Sequence, residues 1–240
     1  MKEASLSAKH TALGLLNNNH LKLIAMLAML CDHVGLHLLP EFPILRIIGR
    51  LAYPIFAYMI AEGCTHTRSK TKYLRNLALL ALLCQAVYFF AMGSLYQSIL
   101  VTFSLSVITI YCFDAARKHK RPAYYLLLCA ELILICVICY FLPSLRILRD
   151  FDIDYGLCGV LLPVAVYIAP TKPWKLLAAA VMLVGLGYTY GGIQWYGLCA
   201  LLLLALYDGT RGKYKLKYLF YIFYPAHLAI IYLLGLLMQS

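Results

Sequence analysis

Leu77-Ala78-Leu79-Leu80-Ala81-Leu82-Leu83 is an unbroken aliphatic run. A strand of a membrane barrel alternates lipid-facing and lumen-facing residues, and nothing in this run alternates. A helix bathed in lipid is apolar on every side, which is what the run describes. It lies inside a longer apolar window, near 74–93, and eight further windows resemble it, near 21–39, 44–63, 97–115, 122–142, 155–169, 174–190, 193–208 and 217–237. A helix rising about 1.5 Å per residue needs about 20 residues to cross about 30 Å of hydrocarbon. The sixth to eighth windows are short for this, and the reading that follows is an all-α, polytopic integral membrane protein of about nine transmembrane helices. Composition agrees, since the 240 residues are 63% hydrophobic and only 13% charged, with a mean hydropathy of +0.80. Residues 1–20 read as a short polar arm and 21–240 as one transmembrane domain, so any chemistry sits among the helices.

The formal charge of +11 would point to nucleic acid in a soluble chain, but its distribution has a simpler cause. Basic residues collect in alternate connections: Lys2, Lys9 and Lys22; Arg68, Lys70, Lys72 and Arg75; Arg117, Lys118, Lys120 and Arg121; Lys172 and Lys175; Arg211, Lys213, Lys215 and Lys217. Only Arg46, Arg50, Arg146 and Arg149 fall elsewhere. Short cytoplasmic loops retain Lys and Arg, so the N-terminus is expected inside and, with nine spans, the C-terminus outside. The expected location is the plasma membrane, crossed several times, and no nucleic-acid partner is expected. The first apolar window lacks a small-residue cleavage site and carries Asp32 and His33, so it reads as a retained span. Cys136 and Cys139 have CxxC spacing without further converging ligands, so neither a metal nor a disulfide is expected.

Ionisable groups at membrane depth are costly and are kept for pairing or function. The set is short. The first window holds Asp32-His33; the second holds Arg46 and Arg50 and ends in Glu62, His66 and Arg68; the fifth holds Glu131; the ninth holds Tyr224-Pro225-Ala226-His227. The short link Pro40 to Pro43 makes the first two helices antiparallel neighbours, and His33 and Arg50 then lie about 9 Å below the same surface. Arg46, Arg50 and Tyr53 share one helical stripe.

An imidazole beside a carboxylate is a competent general base. Asp32 either serves His33 in this way or pairs with Arg46 and Arg50, leaving His33 as an ordinary hydrogen-bonding residue. At the inner end, Glu62, His66, Arg68, Lys70 and Lys72 offer either a phosphate-binding cluster or topological flanking charge. His227, about 15 Å from either end of its helix, faces the same cavity or bonds a neighbouring helix. Arg146, Arg149, Asp150, Asp152 and Asp154 fill the longest outer loop, where the choice is between mutual ion pairs and acceptor recognition.

Four segments carry a resemblance: Leu21-Lys22-Leu23-Ile24-Ala25-Met26 with Asp32-His33-Val34-Gly35; Leu45 through Ala57; Glu62-Gly63 with His66-Thr67-Arg68; and Tyr221-Ile222-Phe223-Tyr224-Pro225-Ala226-His227-Leu228. Through these the chain resembles the TraX family, named for the F-pilin acetylation protein and similar to membrane acyltransferases of the acyltransferase-3 type. The resemblance implies transfer of an acetyl group from cytosolic acetyl-CoA to a pilin-like N-terminus, a glycan or another envelope molecule. It implies His33 as general base or acyl relay, with Asp32 beside it and Arg46 and Arg50 stabilising the developing oxyanion. Glu62, His66, Arg68, Tyr224 and His227 are then expected around the donor. Expected partners are the bilayer, acetyl-CoA and the acceptor, and self-association is compatible with all of this. A proton-coupled transporter is the rival reading of the same ionisable residues, although no internal repeat supports it. A purely structural or assembly role is the third, disfavoured by the cost of Asp32, His33, Arg46 and Arg50.

Overall fold

The computed structural model describes residues 14–145, 150–213 and 217–239. Lys2, Lys9, Arg146, Arg149 and Lys215, and residues 1–13 of the expected arm, lie outside the described residues. The described chain is helical, without strands and with two isolated bridges, Leu16 to Tyr207 and Gln97 to Ile153.

In chain order the helices are α1 (Asn18–His37), α2 (Pro43–Gly49), α3 (Ala52–His66), α4 (Lys70–Met92), α5 (Ile99–His119), α6 (Pro122–Cys136), α7 (Leu142–Ser144), α8 (Gly156–Ile168), α9 (Lys172–Tyr190), α10 (Ala200–Ala205) and α11 (Lys217–Gln239). A π turn, Val137–Phe141, joins α6 to α7, and a 3-10 stretch, Gly192–Cys199, leads into α10. Each expected window coincides with helix to within four residues. Among the described residues, four stretches are long and apolar enough to cross a membrane: Pro43–His66, Lys70–Phe90, Ile99–His119 and Pro122–Ser144. Helix α8, of 13 residues, is about 20 Å long and shorter than the hydrocarbon layer.

The second window is not one helix. It breaks at Arg50 and Leu51, between α2 and α3. Pro54 explains the break, because it has no N–H for the carbonyl of residue 50 and its ring crowds that carbonyl, whereas a proline is tolerated in the first turn of a new helix. Pro163 acts similarly inside α8. It leaves the Gly159 carbonyl without its helical donor, and the Tyr53 hydroxyl donates to that carbonyl at 2.9 Å.

Helix α3 is the axis of the fold. It packs against α1, α5, α8, α9 and α10, and Ala52, Ala57, Ala61 and Cys64 are buried along it. Lipid removes the hydrophobic drive between helices, so close approach by small side chains supplies the packing. The outer helices show the reverse. Leu79, Leu82, Leu126, Leu127, Ile133 and Leu134 are exposed on α4 and α6, an apolar surface that a soluble protein would not carry.

Side-chain contacts gather the helix ends into two layers. At the lysine-rich end, Lys175 meets Glu62, Lys70 and Tyr167 meet Asp114, and Lys172 donates to the carbonyls of Ala205 and Tyr207. At the opposite end Asp32, Arg46, Arg50, Tyr96, Asp154, Tyr155 and Gln194 converge. Consecutive long helices therefore run antiparallel, and the alternate basic loops come together.

Candidate functional site

Two glycines let the first helices approach. A Cβ on Gly49 would fall on the Asp32 side chain, and one on Gly35 would lie 2.8 Å from the Leu45 Cβ. The resulting contact seats the Asp32 carboxylate between two guanidiniums. Arg46 Nη1 donates to Asp32 Oδ2 at 2.8 Å, and Arg50 Nη2 donates to Oδ1. Arg50 also donates to Gln194 Oε1 at 3.1 Å and to the Tyr155 hydroxyl at 3.4 Å. Of the two readings of Asp32, the geometry is that of the arginine pair. No described hydrogen bond joins Asp32 to His33, because neighbouring positions on a helix point about 100° apart.

The arginines donate to Asp32, Gln194 and Tyr155, and Arg50 Nε has no partner among the described atoms. Tyr53, placed on the same stripe by the sequence, stacks on Tyr155 with ring centroids 3.9 Å apart, the residue whose hydroxyl accepts from Arg50.

His33 meets a different partner. Its Nδ1 lies 2.8 Å from His227 Nε2, and His227 Nδ1 lies 2.8 Å from the Phe223 carbonyl one turn back on α11. His227 is buried, stacked on Phe223 at 4.8 Å and met edge-on by Tyr224 at 5.5 Å. His37, one turn after His33, stands 6.3 Å away. His227 and Tyr224 therefore join His33 and not the other residues expected around a donor.

Those others lie at the lysine-rich end, about 15 Å along α3 between Ala52 and Glu62. Glu62 is buried and accepts from Lys175 Nζ at 2.6 Å. His66 turns back on the Glu62 carbonyl at 2.9 Å, and Arg68 is exposed. Lys70 is engaged by Asp114. The cluster is partly neutralised by its own carboxylates, which the charge count of the loop alone did not reveal. Glu131 stands apart from both ends, 2.7 Å from Thr109.

Arg46 and Arg50 also line a cavity of about 230 Å3 with Tyr96, Asp154, Tyr155, Tyr190 and Gln194. His33 and His227 are not among its lining residues. Tyr96 is shared with a wider recess bounded by Tyr88, Asp150 and Asp152. Among the described residues of the outer loop, Asp154 takes the Tyr96 hydroxyl at 2.8 Å and Asp152 takes the backbone N–H of Ile153 at 2.8 Å. Arg146 and Arg149, the expected ion-pair partners, lie outside the described residues. Burial raises the Asp154 carboxyl to about 6 against the opposing pull of the Tyr96 hydrogen bond and Arg50. The sequence reading missed Gln194, Tyr155 and Tyr96, since an amide or a phenol at a helix end carries no signal that separates it from an interfacial residue.

Apolar helices and an interior that holds arginines, a carboxylate and paired imidazoles define an all-helical membrane protein with a polar centre. The sequence model of the TraX protein family matches residues 17–235, and the chain belongs to the TraX family. A probable fimbrial assembly protein of Dichelobacter nodosus, FimC of serogroup H1, is 24% identical over 88% of this chain and 92% of its own length. An uncharacterised protein of Rickettsia prowazekii is 55% identical over 38 residues, covering 16% of this chain and 15% of its own. No solved structure matches.

Proposed function

We propose that the protein is a membrane-embedded acetyltransferase that moves an acetyl group from cytosolic acetyl-CoA to an acceptor at or across the bacterial cytoplasmic membrane. The observation that carries this reading is the His33–His227 contact of 2.8 Å inside the bundle. A purely structural core has little reason to hold two imidazoles in register at membrane depth. Family membership and the fimbrial assembly relative support an acceptor on a fimbrial or pilin-like subunit. In this reading the chain crosses the membrane nine times, with its N-terminus and the lysine-rich end in the cytoplasm. The thioester enters from that end and the acceptor from the Asp154 end.

His33 removes a proton from the acceptor nitrogen or oxygen as that atom attacks the thioester carbonyl. The new acyl bond forms, the carbon–sulfur bond breaks, and the proton passes to the departing thiolate. The Asp32 cluster holds α1 against α2 and so fixes where His33 stands. An acetyl-histidine formed on His33 would satisfy the same balance in two steps.

Thioester turnover and thermal stabilisation of detergent-purified protein, with acetyl-CoA against free CoA, test the proposal. Turnover in the wild type that disappears in folded His33→Ala is expected. Absence of both binding and turnover in folded wild type, together with substrate-driven proton uptake in proteoliposomes, would replace this reading with a transporter.

A further inference from the structure

We infer that His227 is a positioning residue that sets the tautomer of His33, so that His33 Nε2 is the atom that takes the acceptor's proton. The inference deepens the acetyltransferase reading and rests on it for its catalytic consequence, while its hydrogen-bond content stands on geometry alone.

A backbone carbonyl fixes the first hydrogen. The Phe223 oxygen only accepts, so at 2.8 Å the His227 Nδ1 facing it carries the hydrogen. A neutral imidazole has one N–H, which leaves His227 Nε2 with its lone pair. His33 Nδ1 lies 2.8 Å from that lone pair and is therefore the donor. His33 then holds its own lone pair at Nε2, the nitrogen turned away from the pair. One backbone carbonyl on α11 thus specifies, through two rings, which nitrogen of α1 is basic.

The surroundings bear on the same point. Asp32, the carboxylate nearest in sequence, is taken by Arg46 and Arg50 on both oxygens, and His37 lies 6.3 Å from His33 between ring centroids. Tyr224 and Phe223 enclose His227 from its own helix. A second imidazole fulfils the orienting part that a carboxylate fulfils in a triad, without placing a further negative charge in the membrane. When His33 Nε2 takes the acceptor's proton, the Nδ1 proton moves toward His227 Nε2. The cation is shared across 2.8 Å until the departing thiolate recovers the proton from Nε2. No co-reactant beyond thioester and acceptor enters the balance.

Nitrogen-15 NMR of full-length protein labelled at its seven histidines reads the tautomers without any assay of activity. Signals are assigned by their loss in His33→Gln and, independently, in His227→Gln, so failure of one variant to fold leaves the other. The expected wild-type state is His33 protonated at Nδ1 and bare at Nε2, with His227 likewise. A His33 protonated at Nε2, or an even mixture of its tautomers, overturns the inference. In turnover assays, His227→Ala is expected to lower kcat about 100-fold with little change in KM. His227→Gln, whose amide oxygen still accepts from His33 Nδ1, recovers part of that loss. Equal kcat in the two variants refutes the positioning role. An inactive wild type removes the acetyltransferase reading, and the spectra still decide the hydrogen-bond direction.

Discussion

His33 Nδ1 and His227 Nε2 stand 2.8 Å apart although 194 positions separate them in the chain. The contact ties α11 to α1, the two ends of the described helical sequence, and it links the only described pair of histidines held within hydrogen-bonding distance. If it contributes to docking of α11, the two side chains are energetically coupled. A double-mutant cycle of His33→Ala and His227→Ala, followed by denaturant unfolding in detergent, should show a coupling of about 0.5–3 kcal/mol. His33→Ala with Glu62→Gln, at the opposite layer, should be additive. Additivity in both cycles would mean that the imidazoles touch without supporting the helix packing.

Asp32 compensates two cations. Replacing it with Asn leaves the Arg46 and Arg50 guanidiniums facing one another, and removal of one member of a buried charge cluster costs about 3–5 kcal/mol. Arg50→Gln should follow closely and Arg46→Gln should cost less, because the Arg46 side chain is 25% exposed against 10% for Arg50. Unfolding free energies in the reverse order would place the electrostatic centre elsewhere.

Gly49 marks the closest approach of α2 to α1. A methyl group there meets the Asp32 side chain, so Gly49→Ala should destabilise by about 1–3 kcal/mol through overpacking. A drop in melting temperature is the expected readout, and a neutral Gly49→Ala would show that the two helices separate readily.

Asp154 gives a pH dependence of defined sign. Its folded carboxyl lies at about 6, whereas an unfolded aspartate lies at about 4. Between these values the folded chain binds more protons, so stability is fullest below about 4 and falls as pH rises through about 6. Asp154→Asn should flatten that part of the stability profile, measured by thermal unfolding from acid to neutral pH. An unchanged slope would assign the effect to other groups.

Glu62 and Lys175 form the corresponding closure at the lysine-rich end. Lys175→Met strands a buried carboxylate and should be more destabilising than the double change Glu62→Gln with Lys175→Met. The reverse order, seen in denaturant unfolding, would make Glu62 a group held for binding rather than for packing.

Several parts of this arrangement are legible in residue order. The apolar windows coincide with helix because lipid demands long runs without charge, and the link from Pro40 to Pro43 forces α1 and α2 together. Depth matching of Asp32, Arg46 and Arg50 follows from the rise per residue. Other parts are not. Pro54 interrupts a window that hydropathy reads as continuous, since hydropathy counts side chains and the break arises from a missing backbone N–H. Lys175 and Asp114 look like flanking charge until their partners Glu62 and Lys70 are brought beside them.

Local chemistry, then, prescribes which segments are helices and which charged residues have to be hidden, because both depend on the surface that each segment presents to lipid. The partner of each hidden group depends on rotation and tilt of whole helices, which are set by small residues such as Gly35 and Gly49 and by packing around α3. Asp32 and His33 are adjacent in sequence, and their roles look shared on that basis. In the folded bundle they point apart, one to the arginines of α2 and the turn beyond it, the other to the histidine of α11.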